Sequence, residues 1–68
     1  MGTHGHGTVT QFDRDIGLGL ITDDDGRTWP FHCIAIADGS RDIETRARVA
    51  FDVLPKLGRW EATAIRPG

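Results

Sequence analysis

One stretch constrains the fold more than any other: Ile16-Gly17-Leu18-Gly19-Leu20-Ile21, where glycine alternates with a large aliphatic residue. Side chains on a strand alternate between faces, so Leu18 and Leu20 project one way and Gly17, Gly19 and Ile21 the other. Two glycines on one face weaken a strand unless something packs closely there or the sheet coils sharply. A small, strongly coiled β-barrel satisfies both conditions. The leucine face is then either core or an apolar surface open to a partner.

The rest of the chain supplies short strands and no long helix. Thr8–Phe12 is rich in β-branched and aromatic residues and reads as a first strand over 8–13. Asp13-Arg14-Asp15 turns the chain into the glycine-leucine strand, 17–22. Asp23-Asp24-Asp25-Gly26 is a hairpin loop with the Asp-Gly turn signal. Its carboxylates lack the spacing of a calcium loop and read as solvated turn residues.

A third strand, 28–33, carries Trp29, Phe31 and His32. Pro30 removes a backbone donor there and places the strand at an edge or a bulge. Ile34–Ala37 is expected to make a single helical turn before Asp38-Gly39-Ser40. A charged connector, Arg41–Arg46, leads to a fourth strand, 47–54, in which Val49, Phe51 and Val53 alternate with Arg48, Ala50 and Asp52. Pro55–Gly58 turns into a last strand, 59–65. Val9, Ile21, Val49, Phe51 and Ile65 are the expected core. The fold class is all-β, a five-stranded antiparallel Greek-key barrel.

At 68 residues this is one domain with a thin core. Residues 1–6 are expected to be a flexible lead-in and 7–68 the folded domain. His4 and His6 in the lead-in are too few ligands for a strong metal site. The single cysteine, Cys33, excludes an internal disulfide and suits a reducing cytosol. Nothing approaches the ~20 apolar residues of a membrane span, so a cytoplasmic protein without a membrane partner is expected. No constellation for nucleophilic, metal or acid–base catalysis occurs; neither an enzyme nor a cofactor is expected.

The net charge of −2 argues mildly against strong polyanion binding. Its distribution is uneven. Residues 1–40 hold two arginines against six aspartates, whereas residues 41–68 hold six basic and four acidic residues. An electrostatic docking surface would draw on the second half plus Arg14 and Arg27.

Three segments resemble the bacterial cold-shock domain: Gly7–Phe12, Ile16–Ile21 and Phe31–Ile36. The likeness continues through Val49–Val53 and Ala62–Pro67, covering nearly all of residues 7–67 in order. It implies an OB-type barrel that binds single-stranded RNA or DNA, with bases stacked on a row of aromatics. Most of that row is replaced. Gln11 stands where the family has tryptophan, Leu18 and Leu20 replace phenylalanines, and Ile16 replaces a lysine. Pro30 and Cys33 replace two more phenylalanines, and Thr10 a basic residue. Phe12 and His32 are retained.

Leucine and proline can cover a base but lack the polarisable ring. At roughly 1–3 kcal/mol per stacked base, several kcal/mol of affinity are expected to be missing, so the implied binding is weak. The expected contacts are Gln11, Phe12, Leu18, Leu20, Pro30 and His32, with Lys56, Arg59 and Trp60 as displaced phosphate or stacking contacts. Simple packing is the competing reading for Trp60, and also for Trp29 and Phe31, which by alternation face away from Pro30 and His32. His32 can equally be a strand residue kept for packing and a hydrogen bond. The alternative function is a protein-interaction or homodimerisation module using the Leu18/Leu20 face.

Overall fold

The computed structural model describes residues 3–39, 42–56 and 58–68, with the side chains of Thr3 and Lys56 excepted. Met1 and Gly2 of the expected lead-in, Ser40 of the Asp38-Gly39-Ser40 segment, Arg41 of the connector, and Leu57 of the Pro55–Gly58 turn lie outside the described residues. Five strands form: β1 (Thr3–Asp13), β2 (Leu18–Asp23), β3 (Thr28–His32), β4 (Arg48–Lys56) and β5 (Arg59–Pro67). A 3-10 turn, Cys33–Ala35, follows β3 where a single helical turn was expected.

All neighbouring strands pair antiparallel in the order β3-β2-β1-β4-β5. Three consecutive strands with the fourth returning beside the first is the Greek-key arrangement. β3 and β5 pack against each other without a ladder. The closing seam is instead an isolated parallel bridge between Ile36 and Ile65, with the Ala37 N–H donating to the Ile65 carbonyl at 2.8 Å. The barrel is therefore of the OB type and partly open. Pro30 lies on the edge strand β3, where a missing N–H is best tolerated.

The expected core residues, Val9, Ile21, Val49, Phe51 and Ile65, are all buried, together with Phe31, Ile36, Val53 and Ala62. The glycines earn their places differently. Gly17 is the last residue of the β1–β2 turn, not part of the strand, with φ +73° and no room for a Cβ beside Cys33 Sγ. Gly19 lies under the Phe31 ring, where a Cβ would come within 2.5 Å of Cζ.

β1 begins at Thr3, ahead of the expected start at residue 8. Thr3–Gly7, read as the lead-in and its border, pair with β4 from Val53 to Val49. The backbone ladder orders a segment that has no apolar pattern of its own. Within it, His4 Nδ1 lies 3.3 Å from Asp52 Oδ1 and 3.0 Å from Arg66 Nη2. Among the described residues no group of three metal-ligating side chains converges, and no helix is long and apolar enough to cross a membrane.

Candidate nucleic-acid interface

The outer face of β1–β3 is set by a bulge that the sequence pattern does not reveal. Val9 pairs with Ile21, but the next pair is Gln11 with Leu20, so Thr10 is an extra residue in β1. Its hydroxyl lies 3.1 Å from that of Thr22 and donates to the Leu20 carbonyl at 3.4 Å. Strict alternation from the buried Val9 would have sent Gln11 inward. The bulge turns it outward beside Leu20 and sends Phe12 to the core side, opposite Gly19.

Across β2–β3 the pairs are Leu18 with His32 and Leu20 with Pro30. Directly opposed residues share a face, so Gln11, Leu18, Leu20, Pro30 and His32 lie together. They line an open groove of about 940 Å³. Leu18 is half exposed, and Ile16 and Ile34 at the neighbouring turns more so, which gives the face an apolar character. Phe12 is half-buried, its ring parallel to that of Phe31 with centroids 5.9 Å apart, and it reaches the groove only at the border. Trp29 and Phe31 face the interior, as alternation predicted.

The polar groups of the groove are few and specific. His32 Nδ1 accepts the Ile34 N–H at 3.2 Å. In the neutral ring the proton must then sit on Nε2, which leaves an exposed donor at the end of the leucine row. Gln11 makes no side-chain hydrogen bond to a described residue, so its amide offers both a donor and an acceptor. Arg59 lines the same groove and forms no ion pair among the described residues. Arg14 also lines it, but is tied to Asp42 at 3.0 Å, and Asp13, Asp15 and Glu61 add carboxylates to its border.

Not every expected contact converges there. Trp60 sits on the side of β5 opposite Arg59 and lines a separate recess. Lys56 ends β4 and pairs with Arg59, its side chain lying outside the described residues. Cys33 is half-buried, with Sγ 3.7 Å from His32 Nδ1.

The electrostatic shifts lie away from this face. The Trp29 indole N–H holds the Asp23 carboxyl below its ordinary range, aided by backbone N–H groups of Arg27 and Asp25. Arg48 does the same for Asp24, and its own guanidinium is raised in turn. His4, then Arg66, lower Asp52. These groups brace the hairpin and the β1–β4–β5 side of the sheet.

The sequence matches the family described as the 'cold-shock' DNA-binding domain over residues 5–67. Comparison with curated proteins gives no match.

Proposed function

The chain belongs to the 'cold-shock' DNA-binding domain family, and from that premise we propose that it binds single-stranded RNA or DNA weakly along the β1–β3 groove. The carrying observation is the convergence of Leu18, Leu20 and Pro30 on one open face with the unsatisfied donors of Gln11, His32 and Arg59. The aliphatic floor covers bases by area rather than by ring stacking. Arg59, which forms no ion pair among the described residues, supplies a guanidinium for a phosphate, and the amide and imidazole N–H supply hydrogen bonds at base edges. Phe12 contributes at the border. Catalysis has no part in this reading, which places the protein in the cytoplasm.

The test is a titration of the isotopically labelled protein with a short oligo-thymidine, followed residue by residue by nuclear magnetic resonance. Saturable shifts centred on Gly17–Leu20, His32 and the Arg59 side chain support the reading. Shifts scattered over the β4–β5 surface, or none at millimolar oligonucleotide, overturn it.

A second reading draws on the Leu18/Leu20 face, where Leu18 is 50% exposed and Ile16 lines the same groove at 61%. An exposed apolar face of this kind suits a second copy of the chain. Sedimentation of the free protein separates the two: a concentration-dependent dimer that the oligonucleotide dissociates places both activities on one face.

A further inference from the structure

Away from the groove, both tryptophans of the chain open onto a single recess of about 540 Å³. Trp29 packs its inner edge on the core, and its Nε1–H donates to Asp23 Oδ2 at 2.8 Å, which fixes the ring plane. Trp60 projects from the start of β5 across from Pro55 and is 53% exposed. Neither indole stacks on another aromatic ring: the ring contacts among the described residues are His4 with His6 and Phe12 with Phe31. Trp60 is the exposed one of the two tryptophans, and Trp29 is half-buried.

Asp23, Asp24 and Asp25 line the recess together with Arg27, His4 and His6, three carboxylates against one guanidinium. Arg48 offsets Asp24 at 2.8 Å, whereas the Asp25 carboxylate makes no bond to a described residue. A phosphate would be repelled here, and an uncharged ligand would gain only hydrogen bonds from the carboxylates. A cation gains from both, because indole faces attract positive charge and the acidic rim adds to that field. No residue lining this recess also lines the groove.

We propose that the Trp29–Trp60 recess binds an arginine or lysine side chain presented by a basic peptide segment of a partner protein. The site is independent of the groove, so the domain can hold a basic partner on one side and a nucleic-acid strand on the other.

The test follows the two indole Nε1–H resonances while a short arginine-containing peptide is added, with the citrulline version as the neutral isostere. Saturable shifts of both indoles, about threefold or more weaker with citrulline, are expected. Trp60→Ala should weaken the arginine peptide about threefold or more. Asp25→Asn, at an exposed residue without a side-chain bond, should weaken it about twofold while the remaining spectrum stays native-like. Equal binding of the citrulline peptide, a shift that never saturates, or unchanged affinity in both variants overturns the proposal. So does an oligo-thymidine that moves the two indoles in place of the peptide, since the recess would then belong to the nucleic-acid surface. An indole response to the arginine peptide beside a groove silent to oligo-thymidine would support this site while removing the nucleic-acid reading.

Discussion

Gln11 stands directly across the β1–β2 ladder from Leu20, although alternation from the buried Val9 would set Gln11 inside the barrel. The extra residue, Thr10, accounts for the difference. It switches the face of every β1 side chain that follows. Gln11 becomes a polar group on the apolar groove, and Phe12 becomes a core-side ring against Phe31. The same step brings the β1 backbone over Gly19, whose hydrogen faces the Gln11 carbonyl and the Phe31 ring.

Gly19→Ala should therefore unfold the domain more easily. A Cβ there would lie 2.5 Å from Phe31 Cζ and 2.7 Å from the Gln11 carbonyl oxygen. The ring is fully buried and stacked on Phe12, and the carbonyl is backbone, so neither can move cheaply. A loss of about 1–3 kcal/mol in urea unfolding is expected. Gly26→Asn is the control: nothing lies within 4 Å of a Cβ there, and asparagine tolerates the φ of +88°. A Gly19→Ala midpoint equal to wild type would contradict the close packing.

Acid should destabilise the fold through three aspartates. Asp23, Asp24 and Asp52 all titrate below the ordinary value of 3.8 when folded. A carboxyl with a depressed folded-state pKa adds stability that is whole above the unfolded value and is lost as the pH falls through the folded one. The urea midpoint should thus drop below about pH 4. Trp29→Phe removes the largest cause of the Asp23 shift while keeping a ring, so its acid limb should be shallower. The slope is the readout, because repacking around residue 29 also moves the midpoint itself. An equally steep limb in the variant would show that the indole N–H does not set Asp23.

The period-2 pattern made most of the barrel legible. Val49, Phe51 and Val53 are buried where alternation put them, and Pro30 lies on an edge strand as its missing donor required. The places where reading stopped are those where backbone, not side chains, decides. Thr3–His6 joins β1 through its ladder to β4 with no apolar residue to announce it. The bulges at Thr10 and near Ala64, which has φ +52°, leave no compositional mark. The groove floor was legible through Leu18, Leu20, Pro30 and His32, which hold their places by simple alternation. Which side Arg59 and Trp60 take depends on how the preceding turn delivers β5. The structure divides that pair between the groove and the recess.

Salt should weaken oligonucleotide binding only gently. Among the described residues the groove is lined by one arginine without an ion pair, Arg59, because Arg14 is engaged by Asp42. Single strands give a slope of about −0.7 in log affinity against log salt for each phosphate neutralised, so one or two contacts predict about −0.7 to −1.4. Arg59→Gln should flatten that slope by about 0.7 and weaken binding at low salt. A slope near −3 would require more cations than the described residues of the groove present.

Leu18→Phe combined with Leu20→Phe tests the groove floor itself. Both side chains already project from the face that carries Pro30 and His32, and Leu18 is half exposed, so larger rings meet solvent rather than core. Two restored stacking partners add up to roughly 2–6 kcal/mol, less where Gln11 and Pro30 leave a base poorly aligned. A gain of at least about tenfold in oligo-thymidine affinity is expected, with the urea midpoint little changed. The same protein run in sedimentation addresses the rival use of the face. If the leucines are a contact between copies, the rings clash across the two-fold, and a dimer is lost while oligonucleotide affinity stays put. Stronger binding at unchanged mass assigns the leucines to a tuned-down nucleic-acid platform, because only a base gains from a ring where a leucine already fills the space.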